Sequence, residues 1–402
     1  MAQKVDFEYI VVGLGGIGSA AAYWLARRTG GDVLGLEQFA LGHDQGASED
    51  HSRIIRLTYH TPAYVALAHH AYTYWHELEQ ETGEQVLLVT GDLLLGPRES
   101  EMPVTDYTES LTAANVPFEM LDADEIMHRW PQWRLDADVH ASFQPQGGLV
   151  SAGRATLLHA QQARAHGATL LDNTPVLGIT PIDGGVEVRT ADETYCCRRL
   201  VLAADAWTNR LLSPLGLALP LTMTEEQVTY FASPHLDEFT PERFPVWIYA
   251  DNPNFYGIPV HGELAGVKAA QDSAGVEVTL ETRTREPDPS VLERVSTFLQ
   301  HHLPRAYGPV LYSKTCIYTL TPDRDFVIDS LPAYPQIALA LGAGHAFKFA
   351  GFIGRVLSDL AVDGTTAHDI SLFAFQRPIL QMANPPKNFL LRREAPAASP
   401  VA

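Results

Sequence analysis

The first residues able to do chemistry are glycines. Gly13-x-Gly15-x-x-Gly18, with Gly16 and Ile17 inside the turn, follows the apolar run 7–12 and precedes the alanine-rich run 19–28. The first glycine permits a tight turn, the second lets the backbone approach a pyrophosphate, and the third lets helix and strand pack closely. The helix start then offers free N–H groups and the positive end of its dipole to the pyrophosphate. Glu37 stands 19 residues beyond Gly18, at the end of the next apolar run. An acid there accepts hydrogen bonds from a ribose and disfavours a 2′-phosphate. Strand, turn, helix and acid together read as a dinucleotide site; the loop alone does not separate FAD from NAD. No Cys/His cluster has zinc-like spacing, and no metal is expected.

The elements that position these residues begin with a βαβ unit: a strand at 7–12, a helix at 19–28 stopped by Gly30-Gly31, and a strand at 32–36. A polar loop, 42–52, precedes a long amphipathic helix that starts at Thr61-Pro62 and ends at Gly83. Residues 86–95 read as two short strands turning at Gly91-Asp92. Asp122 caps a short helix to Trp130, and Ser151 caps another through His166. Strands are expected at 169–171, 186–189, 200–203, 310–318, 326–329 and 337–341, and longer antiparallel runs at 218–233 and 246–267. Helices are expected at 291–302 and 349–362, and a frayed Pro/Ala-rich tail from Pro385.

Nucleotide-fold pieces at the start, middle and end alternate with antiparallel pieces. The fold class is therefore α/β with α+β character: a Rossmann-like dinucleotide-binding domain interleaved with an antiparallel-sheet catalytic domain. The expected segments are 1–85, 146–217 and 318–385 for the first, 86–145 and 218–317 for the second, and 386–402 as a flexible tail.

The 402 residues suit two domains, and 28 Lys+Arg against 48 Asp+Glu give a formal net charge of -20. That balance argues against nucleic acid or an anionic membrane surface as partner. An anionic substrate would need a local island of positive charge against this field. No stretch of about 18 apolar residues is present, so no membrane partner is expected. Three cysteines, Cys196, Cys197 and Cys316, do not make a disulfide framework. A reducing compartment, the cytoplasm, is expected.

Four further segments carry a resemblance: Ser52-Arg53-Ile54-Ile55-Arg56, Phe255-Tyr256-Gly257-Ile258-Pro259, Thr315-Cys316-Ile317-Tyr318, and Gly342 to Phe349, which reads Gly-Ala-Gly-His-Ala-Phe-Lys-Phe. With the glycine loop they resemble the monomeric sarcosine oxidase and N-methyltryptophan oxidase family of FAD-dependent secondary amine oxidases, in the same order over about residues 7–380. The resemblance implies FAD, O2 and a small carboxylate-bearing amine as cofactor and partners. It implies oxidation of the C–N bond of a secondary α-amino acid to an imine, with O2 reduced to H2O2.

Residue by residue, the resemblance implies that Cys316 carries FAD through a thioether, with Arg53 beside the flavin as a charge that activates the thiol. It assigns the substrate carboxylate to Arg56 and Lys348. It makes Lys268 the oxygen-activating lysine, in a register that needs one inserted residue after Tyr256. Tyr256, Tyr318 and His345 fall in the pocket. Gln38, Ser48, Val176, Trp207 and Gly344 join the glycine loop and Glu37 around the cofactor, and Lys348 also reaches it. An isolated Cys is more often a buried small apolar residue, and that reading is kept for Cys196 and Cys197.

Three departures stand out. The histidine- and glycine-rich loop of the family reads here Gly46 to Ser52 with Glu49 and Asp50. Asp272 takes the place of a histidine four residues after the lysine, and Asp205 stands where a glycine usually precedes Ala-Trp. A carboxylate at Glu49 or Asp50 would alter the flavin potential or contact the substrate amine, with Glu49 and Asp272 the candidate substrate contacts. These changes point away from sarcosine itself and toward another N-methyl or a cyclic imino acid, including substrates of biosynthetic pathways. The competing readings are an amine dehydrogenase with another electron acceptor, a non-catalytic flavin-binding subunit, and an NAD-only dehydrogenase that leaves Cys316 without a role.

Overall fold

The computed structural model describes residues 6–48 and 50–392. The apolar run forms strand Phe7–Val12. It pairs in parallel with Val33–Leu36 on one side and Thr194–Leu202 on the other, Val12 lying opposite both Leu36 and Leu202. Thr169–Leu171 and Tyr334–Leu341 extend this parallel core, while Gly178–Ile182, Gly185–Arg189 and Val327–Leu331 add antiparallel strands, giving eight. The helix Gly16–Thr29 follows the first strand directly. Gly13 has φ +87°, and a Cβ at Gly18 would lie 1.8 Å from Gly13 O. Only hydrogen fits there, the close helix–strand contact expected of the third glycine.

A second, nine-stranded sheet takes its strands from 92–144 and from 222–320. Its longest pair is Thr222–Phe231 against Val310–Leu320. The chain thus passes repeatedly between a Rossmann-like sheet and a largely antiparallel one, and the two are interleaved. The boundary expected at 317/318 falls inside strand Val310–Leu320, which carries Cys316 and Tyr318 on one ladder. A small sheet joins Arg53–Ile55, Gly148–Val150 and Leu87–Val89, so the arginine motif is held by strands from three separate segments.

Local chemistry explains most ends. Thr61 Oγ1 accepts from Tyr64 N, and Gly83 closes the same helix with φ 71°. Asp122 Oδ1 accepts from Glu125 N at 2.9 Å. Ser151 is different: its side chain makes no cap and instead bonds His261 Nε2 at 2.8 Å. The hairpin expected at Gly91-Asp92 is absent. Leu87–Val89 and Asp92–Pro97 join different sheets, because Asp92–Pro97 pairs with Val139–Gln144 and Val246–Tyr249. Helix Val104–Ala113, rich in Thr and Ser after Pro103, escaped the sequence reading.

The expected fraying from Pro385 does not hold for the described part of the tail. Asn388 N donates to Pro322 O at 2.7 Å, and Leu391 is only 8% exposed. Residues 393–402 of that tail lie outside the described residues. Cys196 and Cys197 are both buried, as expected of small apolar residues, and all three cysteines are free. No helix among the described residues is long and apolar enough to cross a membrane.

Candidate functional site

One long cavity runs from the glycine turn to the far sheet. It begins at the carboxyl ends of the parallel strands, where open α/β sheets bind ligands. Gly13, Gly15, Gly16, Ile17, Glu37, Gln38, Ser48, Arg53, Val176, Trp207 and Gly344 line it, and so do Arg56, Tyr256, Asp272, Tyr318, His345 and Lys348. Gly18, Lys268 and Cys316 do not face it. Glu49 lies outside the described residues.

At the glycine end, Ser48 Oγ accepts from Gly16 N at 2.9 Å, which leaves its own proton free to donate. Glu37, 4% exposed, accepts from Leu14 N at 2.7 Å and from Phe39 N at 3.1 Å. Its carboxylate is thereby fixed beside the turn with lone pairs to spare. Asp205 adopts φ +41°, a left-handed conformation that suits glycine, and this accounts for the glycine usual before Ala-Trp. Burial raises its carboxyl to about 6. The turn, the oriented acid and the strand ends fit an adenine dinucleotide.

Two basic groups define the far end. Arg56 is 5% exposed, its guanidinium 4.9 Å from the Tyr59 ring and 5.8 Å from that of Tyr107. Its Nη1 is buried with no hydrogen-bond partner among the described residues. A buried donor without an acceptor is costly, so an anionic ligand there would be strongly favoured. Lys348 Nζ donates to His345 O at 3.2 Å. Burial, then the Arg56 charge, lowers its ammonium to about 7, with Asp272 opposing. Asp92 is fully buried close by; burial pushes its carboxyl up, and Arg56 is the first influence against.

His345 Nε2 lies 3.0 Å from Arg324 O. A carbonyl only accepts, so Nε2 carries the proton and Nδ1 is the lone-pair nitrogen. Burial, with Arg324 and Lys348, holds this imidazole neutral, well below its usual pKa.

Asp272 was expected to be available to the substrate amine. It lines the cavity, and Arg324 engages both its oxygens, Nη1 to Oδ2 at 2.8 Å and Nη2 to Oδ1 at 2.9 Å, which leaves a lone pair on each. Arg324 also donates to Phe389 O at 2.6 Å, tying the tail to the pocket. The sequence reading missed Arg324. The available signal was an arginine between two aspartates, Asp323 and Asp325, just before a buried strand. It also missed the apolar wall of Ile54, Met102, Tyr107, Ile248, Ile258 and Leu391. Tyr107 hydrogen-bonds Leu391 O across it.

Behind the cavity wall, Lys268 stands opposite Ile258 and Tyr230 on its two neighbouring strands, which fixes its register relative to Tyr256. It is 1% exposed and donates to Asp50 Oδ2 at 2.5 Å and Ser52 O at 2.8 Å. Burial lowers its ammonium to about 8, with Asp50 opposing. Arg53 Nη1 reaches the same Asp50 oxygen at 2.7 Å. Burial alone would raise Asp50, yet Lys268 and Arg53 hold it well below the usual carboxylate range. Cys316 is 6% exposed on its strand. Arg53 is the first influence that lowers its thiol, but burial is larger and pushes it up to about 11. Arg53 thus favours the thiolate, in the direction expected of it, but burial outweighs it.

Comparison with known proteins agrees with this geometry. Residues 8–360 match the family described as FAD dependent oxidoreductase. The chain is 38% identical to monomeric sarcosine oxidase of Streptomyces avermitilis over 375 residues, 91% of this chain and 96% of that protein. It is 30% identical to N-methyl-L-tryptophan oxidase of Yersinia pestis over 385 residues, 93% of this chain and 100% of that one. The solved structure of NikD, an amino acid oxidase essential for nikkomycin biosynthesis, superposes with a TM-score of 0.84 at 27% identity, covering 95% of this chain and 100% of that chain.

Proposed function

This chain belongs to the FAD-dependent oxidoreductases, in the family of monomeric sarcosine oxidase and N-methyl-L-tryptophan oxidase, and we propose that it oxidises the C–N bond of a secondary α-amino acid, an N-methyl or cyclic imino acid. The observation that carries the reading is the buried, unpaired Arg56 Nη1 beside Lys348 at the end of the cavity. FAD supplies the acceptor for two electrons, which O2 finally takes to give H2O2.

The residues that would hold FAD are the glycine turn with Glu37, Gln38 and Ser48, then Val176 and Trp207, and Arg53 and Gly344 toward the substrate. Arg56 and Lys348 bind the substrate carboxylate and orient the carbon–nitrogen bond. The local cations favour the neutral amine, so loss of one C–H and one N–H leaves an imine without a strong protein base. His345 is neutral and can accept a hydrogen bond at Nδ1. The imine takes up water after release. Screening N-methyl and cyclic imino acids for peroxide tests the reading. Peroxide from at least one of them is expected; a flavin bleached by none would overturn it.

Because Lys348 titrates near 7, its charge is full below that pH and lost above it. Binding of a carboxylate inhibitor should therefore weaken as pH rises from about 7 to 9, by up to about tenfold per unit. Titration of the flavin spectrum at several pH values measures this, and a flat profile would exclude Lys348 from the clamp.

We also propose that Cys316 bears the flavin covalently, its sulfur replacing one hydrogen of the 8α methyl group; the C–H and S–H protons and the two electrons released would pass to O2 as H2O2. Its thiol titrates near 11, so at neutral pH the thiolate is a small minority. Attachment of FAD to apoprotein should quicken by about tenfold per pH unit between 7 and 9. Acid denaturation should leave the colour on the polypeptide in wild type and release it in Cys316→Ser. The cytoplasmic residence we propose rests on cysteine usage, three thiols and no disulfide among the described residues.

A further inference from the structure

Asp50 has four donors and two cations around one buried carboxylate. Oδ1 accepts from His51 N at 2.8 Å and from Tyr230 Oη at 2.6 Å. Oδ2 meets Lys268 Nζ at 2.5 Å and Arg53 Nη1 at 2.7 Å. The carboxylate and the Lys268 side chain are each 1% exposed. The loop is pinned by its backbone as well, since Gly153 N donates to Asp50 O at 2.9 Å. Of the three charges, only Arg53 faces the cavity. Water screens Asp50 and Lys268 poorly and Arg53 opens only toward the cavity lining, so their sum acts on whatever occupies the cavity beside Arg53.

We propose that Asp50 is a positioning residue that sets the positive charge presented to the flavin: it anchors Lys268 and Arg53 in one cluster and cancels one of their two charges. The cluster is then net +1 where the two bases alone would be +2. Positive charge beside a flavin stabilises its anionic forms. Asp50 therefore restrains the flavin's affinity for electrons and nucleophiles while it keeps Lys268 in place. The proposal rests on FAD binding beside Arg53 and not on the identity of the amine.

The test uses the purified holoenzyme and sulfite, which adds its electron pair to flavin N5 and leaves an anionic adduct that bleaches the spectrum. Asp50→Asn keeps the shape and raises the cluster to +2; it should bind sulfite tighter by on the order of tenfold. Lys268→Met lowers the cluster to zero and should weaken sulfite binding by a similar factor. Asp50→Asn/Lys268→Met restores +1 and should return to within about threefold of wild type. Sulfite affinity unchanged in Asp50→Asn would overturn the proposal. If the single Asn variant does not fold, the comparison of Lys268→Met with the double variant decides, and equal affinities would overturn it. The sulfite titration needs no amine turnover. A chain that binds FAD and oxidises none of the amines tried would fail the functional reading and leave this result intact.

Discussion

Arg56→Ala should weaken binding of a carboxylate inhibitor by about 10²–10³-fold, the loss expected when a buried, charge-assisted pair of hydrogen bonds is removed. In the free protein Arg56 Nη1 has no hydrogen-bond partner among the described residues, so a carboxylate oxygen gains a buried donor, with the neighbouring Tyr59 hydroxyl its nearest competitor for the guanidinium. Arg56→Lys keeps charge but loses the planar fork, and an intermediate loss is expected. A second readout separates a clamp from a merely structural arginine. The Arg56 charge is, after burial, the main influence that lowers Lys348 to about 7. Without it the Lys348 ammonium should titrate higher. The residual binding of the inhibitor should then persist to higher pH than in wild type. Spectral titrations between pH 6 and 9 measure both effects. Unchanged affinity in Arg56→Ala would remove Arg56 from the site.

What could be read from the chain was local. The glycine turn, its flanking strand and helix, and Glu37 lie within one βαβ unit, and their periodicity is undisturbed by distant contacts. The arginine motif was equally legible, because Arg53 opens a short strand, Arg56 follows it, and both residues between them are buried. What escaped was pairing across the chain. Asp50 and Lys268 are 218 residues apart, and Asp272 and Arg324 are 52 apart. A departure in the loop was visible, but no spacing says that its carboxylate folds back onto the lysine. The tail was misread for a similar reason. Its Pro and Ala content describes a poor helix or strand, yet Leu391 is buried against the 104–113 helix that the sequence reading missed. Residues 86–95 are two apolar runs either side of Gly91-Asp92, which reads as a turn between paired strands, and only the tertiary fold sends the two strands to different sheets.

Lys268→Met should slow reoxidation of the dithionite-reduced holoenzyme by O2 by about 10²–10³-fold, while anaerobic reduction by substrate slows by no more than about tenfold. The first figure is the usual cost of deleting one preorganised electrostatic group from a reacting site. The second is smaller because Lys268 acts on substrate oxidation only through the charge it shares with Arg53, whereas the proposed carboxylate clamp, Arg56 and Lys348, lines the cavity itself. Met fills the space of the lysine stem, so packing beside Ile258 and Tyr230 is largely kept. What remains is Arg53 paired with Asp50, a cluster with no net charge. Transfer of the first electron to O2 makes an anion from a neutral molecule, and a cation left without a counter-charge favours that step. Proton balance gives an independent check. Lys268 titrates near 8, so its charge is present below that pH and lost above it. Wild-type reoxidation should therefore slow as pH rises through about 8, and Lys268→Met should lack that transition. Reoxidation in the variant at the wild-type rate would sink the oxygen role. A wild-type profile with no break near pH 8 would mean that Asp50 keeps the lysine charged across that range, and the titration of Lys268 would then play no part in the rate.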